Sequence, residues 1–428
     1  MLMFRKYVVA PIVMACLNLV LSNAAFSNPA PPVVMRPVSW IFSLVDSGEV
    51  KLVAQELERD RSVVTETDNE GRSLLHRAAI VGNKDMMRVL LAKPFDVNAE
   101  DSFHRTPLQM AANGETAKLL LDRGASIAAT GPHRRNALHW ATIHRAKPTV
   151  EALLVHGANV MDPDANGNTA LHFAADTGSV DITAILIARG AVIDARDRDG
   201  RTPLLRAACN GDRNAVAVVQ KLLANGAEIN ASGNGGCQNL GGKFSSSMDG
   251  SDPSSKGGFT PLHVAVFRGE LDLSRVLVDN KADVNRISEK GWTPLHLAAV
   301  SARTDLAEVL LSHGAAVNVG DHIGATPLHW TAAASNGSVG LDLSWSWIRD
   351  TEASGRRISG ESYLTFAGQL IAGKADVNAV DANGRTPLAL AAKEAAAELV
   401  PTIEEYSLLL RKKHEAMADL LRGAGGHE

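Results

Sequence analysis

The stretch GWTPLHLAAV, residues 291–300, returns thirty-three residues later as GATPLHWTAA, residues 324–333. In both copies a threonine stands before a proline and then a run of leucine and alanine. The hydroxyl caps the first free N–H groups of a helix, and proline suits the first helical position, where its missing N–H costs nothing. The Leu and Ala residues face neighbouring units, and the Ala pair leaves so little bulk that adjacent helices approach closely. The capping slot recurs at Ser73, Thr106, Asn136, Thr169, Thr202, Thr260, Thr293, Thr326 and Thr386, at intervals of 33, 30, 33, 33, 58, 33, 33 and 60 residues. So firm a period predicts an all-α solenoid.

Each unit continues with a second apolar run, as in ITAILIARGAVID (182–194) and LAEVLLSHGAAVN (306–318). Apolar residues at i, i+3 and i+4 make an amphipathic helix, and the following glycine suits a left-handed stop. Segments such as DPDANG (162–167) and DARDRDG (194–200) then supply the residues of tight turns. One unit is therefore two antiparallel helices and a projecting hairpin loop.

This unit resembles the ankyrin repeat. TPLH is intact at 260–263, 293–296 and 326–329, with near matches SLLH at 73–76, TPLQ at 106–109, NALH at 136–139, TALH at 169–172, TPLL at 202–205 and TPLA at 386–389. The resemblance spans about residues 37–424 and implies a solenoid of about ten helix pairs. It also implies that the six motif histidines (His76, His139, His172, His263, His296, His329) bond to the cap and to the backbone of neighbouring units. Some positions depart from the pattern. Lys281 and Lys374 replace the helix-stopping glycine, as does Pro94, so less regular turns are expected there; the second copy is three residues short around AANGETAK (111–118). Residues 37–66 read as a degenerate N-terminal capping repeat ahead of a solenoid over 67–424, because an end unit must cover the apolar stack while facing water.

The beginning of the chain differs in kind. Arg5 and Lys6, the apolar run 8–21 and the small residues after it have the three regions of a secretory signal, expected to be cleaved after Ala24, Ala25 or Ser27; residues 1–27 are assigned to it. An uncleaved anchor, or lipidation at Cys16, is the alternative. After cleavage no stable membrane span is expected, and Cys209 and Cys237 either form one disulfide or remain two thiols. A periplasmic or secreted location follows.

Three lengthened regions interrupt the period. Residues 231–258 are rich in Gly and Ser and are expected to form a flexible insertion. Residues 334–362 carry Trp345 and Trp347, which point the same way if the segment is extended, and 389–424 extend the C-terminal cap.

The sequence points to binding, not catalysis. Fourteen histidines invite a metal reading, but one per repeat forms a row without convergence, and HExxH, paired CxxC, GxSxG and a phosphate-cradling loop do not occur. No cofactor is expected. A net charge of −4 gives no general pull toward nucleic acid. The resemblance implies that contacts come from residues flanking the turn glycine and following the Ala pair. Here these are Phe103, His104, Arg105, His133, Arg134, Arg135, His144, Arg145, Arg198, Arg201, Phe259, Phe267, Arg268, Trp292, His322 and Ile323. Residues 101–150 hold seven Lys or Arg against three Asp or Glu, a local basic patch that suits an acidic protein surface. The expectation is a monomeric, exported scaffold, adaptor or inhibitor that binds protein through its concave face. An enzyme or small-ligand receptor built on the two insertions is the competing reading.

Overall fold

The computed structural model describes residues 39–210, 214–233, 257–335, 360–392 and 415–427. The signal segment, Cys237, Trp345, Trp347, most of both insertions and the middle of the C-terminal extension lie outside them.

Among the described residues ten two-element units follow one another, nine of them helix pairs. A leading pair, Ser39–Asp46 and Val50–Arg59, precedes the first motif copy, Leu74–Val81 and Lys84–Leu91. Repeats three to seven place inner helices at Ala137–Ile143, Ala170–Asp176, Pro203–Asn210, Pro261–Arg268 and Pro294–Val300; their outer helices are Lys147–Val155, Val180–Ala188, Ala215–Ala224, Leu271–Asp279 and Thr304–Ser312. Repeat eight pairs Pro327–Ser335 with Gly360–Ala372, and repeat nine pairs Pro387–Ala392 with a helix at 415–423. Inner helices pack on inner helices and outer on outer, so the chain is two layers thick.

The second repeat is the exception. Its inner element is a single 3-10 turn, Pro107–Met110, before the outer helix Gly114–Asp122. The three residues missing from this copy are the counterparts of Ile80-Val81-Gly82 and of Ile143-His144-Arg145, so the loss removes the last turn of the inner helix. The outer layer closes over the gap: a Cβ on Gly114 would come within 2.5 Å of the Pro148 carbonyl.

One apolar seam runs through the stack. Leu75, Leu108, Leu138, Leu171, Leu204, Leu262, Leu295, Leu328 and Leu388, all next to the proline slot, are buried. The motif histidine links the units. In repeat one the Ser73 N–H donates to His76 Nδ1 at 3.1 Å, and Nε2 contacts the Arg105 carbonyl at 2.8 Å, at the residue just before the next cap. His172, His263, His296 and His329 likewise reach the carbonyls of Arg201, Trp292, Ala325 and Arg385. His139 reaches Asp162 instead, at 3.0 Å. Outside repeat three the histidine is a second partner for a carbonyl that already accepts a backbone N–H of its own stem, as Arg105 does from Asp101 at 2.9 Å and Ala325 from Asp321 at 3.0 Å.

The turns at Lys281 and Lys374 are regular, contrary to expectation. Both lysines adopt φ 67°, and the N–H groups of Lys281 and Ala282 return to Val278 and Leu277 just as those of Gly124 and Ala125 return to Leu121 and Leu120. Packing around the helix end therefore outweighs the roughly 1 kcal/mol that a side chain costs in the left-handed region.

Candidate functional site

The inner helices and hairpins share one side of the stack, and the residues assigned there by sequence fall into three groups. Phe103, His104, His133, Arg134, His144, Arg145, Arg198 and His322 are exposed. Arg105, Arg135, Phe267, Arg268 and Ile323 are half-buried. Arg201, Phe259 and Trp292 are buried and offer a partner no surface, which corrects the sequence reading.

Chemistry in the hairpin stems explains the burial of Arg201. The carboxylate of Asp197 accepts the backbone N–H groups of Asp199 and Arg201, both at 2.9 Å, and the Arg201 guanidinium closes the loop at 2.9 Å. Asp101 with Arg105 and Asp381 with Arg385 repeat this arrangement at 2.8 Å. These hydrogen bonds hold the Asp101 and Asp381 carboxyls below the usual range even though burial pushes the other way. Repeat three has Gly131 where the other arginine-bearing stems have aspartate (Asp68, Asp101, Asp197 and Asp381), so Arg135 reaches across to Asp164 at 3.3 Å and lies over the rings of Trp140 and Phe173. Arg105 and Arg135 are thus engaged in the scaffold, and the patch is less basic than a count of its residues suggests.

Phe259 and Trp292 occupy the same stem position in repeats six and seven, without an arginine. Their rings lie 6.3 Å apart, Trp292 meets Trp330 edge-on at 5.4 Å, and the Trp330 indole donates to Asp321 at 3.0 Å. This aromatic column is core between hairpins.

A buried charge cluster joins repeats four and five. Arg206 stands directly after Leu205, which fills the histidine slot, and its guanidinium reaches Asp176 at 3.1 Å and Asp197 at 3.0 Å. Burial pushes Asp176 up to about 6 against the pull of Arg206. Cys209, at the end of the same helix, is disulfide-bonded. The proposed pairing with Cys237 lies outside the described residues.

Sequence reasoning missed two features. At seven of the hairpin tips the turn position is glycine with positive φ: Gly71, Gly167, Gly200, Gly258, Gly291, Gly324 and Gly384. In repeats two and three the same position holds His104, φ 56°, and Arg134, φ 57°, with His133 beside it at φ 58°. Each such residue costs on the order of 1 kcal/mol relative to glycine. The slots were legible in the sequence; the conformation imposed on them was not. The second feature is a cavity of about 390 Å³ beside the shortened inner turn, between Ile80 and Trp140. Trp140 is half-buried there, whereas its counterpart Trp330 is fully packed.

Among the described residues no helix is long and apolar enough to cross a membrane. Comparison with known proteins agrees with the architecture. The family described as Ankyrin repeats (3 copies) matches residues 45–131, 75–164, 138–233 and 243–321. The chain is 34% identical over 100 residues to "Transient receptor potential cation channel subfamily A member 1 homolog" of Caenorhabditis elegans, across 23% of this chain and 8% of that protein. It is 31% identical over 108 residues to "Transient receptor potential cation channel subfamily A member 1" of Drosophila melanogaster, across 24% of this chain and 9% of that one. The chain therefore aligns with less than a tenth of either relative. Repeats of this kind generally mediate contacts between proteins. With the stacked helix pairs, the histidine links between units and a family match over more than half of its length, the chain belongs to the ankyrin repeat family.

Proposed function

We propose that this protein is a non-enzymatic binding scaffold, adaptor or inhibitor that acts outside the cytoplasm and recognises a protein partner with its inner-helix face and hairpin tips. The observation that carries the reading is the exposure of His104, His133, Arg134, His144 and Arg145 on hairpins and helix ends held by two packed layers. Side chains presented on such a support lose little freedom when they bind, which favours recognition of a folded or extended protein surface. Exposed arginine and histidine favour a partner with carboxylates opposite. The disulfide at Cys209 agrees with an oxidising compartment, as does the apolar leader.

The test is affinity capture from the exported fraction with the mature chain as bait, followed by association kinetics with the purified partner. Arg134→Glu should slow association and flatten its dependence on ionic strength. Unchanged kinetics would remove this face from the interaction. N-terminal sequencing of the chain recovered from that fraction should begin after Ala24, Ala25 or Ser27; an intact start would contradict cleavage.

A further inference from the structure

The three-residue loss in repeat two has a consequence on the inner face that the remaining repeats lack. Where repeat one continues through Ile80 and Val81, and repeat three through Ile143 and His144, repeat two turns away at Ala111. The Ala112 N–H donates to the Ala79 carbonyl at 2.9 Å and the Asn113 amide to the Gly82 carbonyl at 2.8 Å, which fixes the short loop against repeat one. With the outer helices pressed together at Gly114, the missing volume appears on the inner side, as the 390 Å³ cavity lined among others by Ile80, Leu108, Met110, Ala112, Trp140 and His144. Its walls are mostly apolar. Two polar atoms of lining residues, Trp140 Nε1 and Thr149 Oγ1, are buried without a hydrogen-bond partner among the described residues. Groups of this kind are costly unless something satisfies them.

Exposed arginines stand next to lining residues in the chain: Arg145 lies between His144 and Ala146, and Arg134 is in the hairpin before Ala137, while His104 of repeat two is bonded to the Glu100 carboxylate at 2.9 Å. His104 and Arg134 are also the two side chains that occupy turn-glycine positions at positive φ. Folding alone favours glycine at both places, so their presence beside the only shortened inner element described points to use.

We propose that this cleft binds an acidic linear segment of a partner protein, which seats one large aliphatic or aromatic side chain in the cavity while flanking carboxylates meet Arg134 and Arg145. The inference rests on the protein-binding reading above and narrows it to one place and one chemistry. A cavity near the small end of the usual ligand range of about 300–1,000 Å³, open along a face of stacked hairpins, suits a single anchoring side chain of a longer chain better than an enclosed small molecule. The Trp140 indole, after a small rotation, would donate to a carbonyl or carboxylate oxygen of the segment.

Random dodecapeptides displayed on phage are selected against the intact chain, and enriched peptides are synthesised for fluorescence anisotropy. The expected winners carry one Leu, Ile, Phe or Trp flanked by Asp or Glu. Ala112→Phe, at an exposed position on the cavity wall, should weaken them at least tenfold with an unchanged melting temperature. Trp140→Phe, which keeps an aromatic face but removes the N–H and part of the indole, should weaken them about fivefold. The double variant His104→Gly/Arg134→Gly should melt a few degrees higher than the parent chain and yet bind the peptides at least tenfold more weakly, so that stability and binding move in opposite directions. Enrichment of peptides without the acidic and apolar pattern, failure to enrich any, or equal affinity for Ala112→Phe and the parent chain would overturn the proposal. A partner captured from the exported fraction that is sensitive to Arg134→Glu but indifferent to Ala112→Phe sinks the cleft and leaves the broader reading standing. Indifference to both variants removes both.

Discussion

The motif histidine shows how one side chain ties a repeat to its neighbour and what that tie costs. Backbone donation to Nδ1 and contact of Nε2 with a carbonyl fix a neutral ring with its proton on Nε2. Burial lowers the ring pKa at all six positions, to about 4 at His172, His263 and His296. Above pH 6.5 the imidazoles are neutral in folded and unfolded chains alike, and they add no pH dependence. Below it the unfolded chain binds protons that the buried rings refuse. The histidine contribution should therefore fall from about pH 6.5 to about pH 4 and level off, by up to roughly 3 kcal/mol for each strongly shifted histidine, and below that the lowered carboxyls of Asp101 and Asp381 continue the loss. Urea midpoints across that range check it. Gln109 shows the remedy, because its Oε1 accepts from Thr106 N–H at 3.0 Å and its Nε2 donates to the Ala129 carbonyl at 2.8 Å. His296→Gln should keep both links and lose part of the pH slope; an unaltered slope would mean that the ring is not held neutral. At the helix stops, Lys281→Gly and Lys374→Gly should each raise stability by about 0.5–1 kcal/mol, since the left-handed backbone is already formed. A loss on either change would show that the lysine stem packs more than its φ costs.

At the scale of the element, the helix pair was legible and the hairpin stem was not. A threonine, a proline and an alanine pair announce a helix start whatever surrounds them, and a recurring interval of 33 residues reveals the stack. Arg201 is buried by Asp197, four residues earlier in its own stem, whereas Trp292 is buried by Phe259 and Trp330 of the adjacent units, which no pattern inside its own repeat contains. Arg105, Arg135 and Arg201 look alike in sequence. Their fates follow from the presence of Asp101 and Asp197 and from the glycine at 131. The shortened copy was visible as three missing residues, but only packing decides that the inner helix loses its last turn while the outer layer closes up. The buried cluster around Arg206 was not legible at all, because its members come from different repeats. Replacing Arg206 by alanine leaves the half-buried Asp176 without its cation and Asp197 with Arg201 alone, and should cost about 3 kcal/mol. Arg105→Ala opens a half-exposed stem and should cost about 1 kcal/mol. Paired thermal melts compare the two, and equal losses would show that burial of the cluster contributes nothing extra.

For the molecule as a whole, stability is a chain of neighbour contacts, because among the described residues the extensive contacts of each repeat are with the units before and after it. Among the described residues the leading pair packs on repeat one alone. It buries Ile41, Phe42, Val45, Val53 and Leu57 against repeat one and is tied to it by Arg77 with Asp46 and by Lys93 with Glu58. Amide protection under native exchange should therefore rise from this pair inward, reach its maximum in repeats three to seven, and fall again toward 415–423. Removal of residues 37–66 should bare the first-repeat surface that includes Leu74, Met86 and Leu90, lower the melting temperature and promote self-association, which light scattering would report. Equal protection throughout, with a single loss at global unfolding, would mean that the stack behaves as one cooperative body. In that case the partner face could not be modulated locally, and the cost of His104 and Arg134 would be shared by the entire solenoid instead of weighing on repeats two and three.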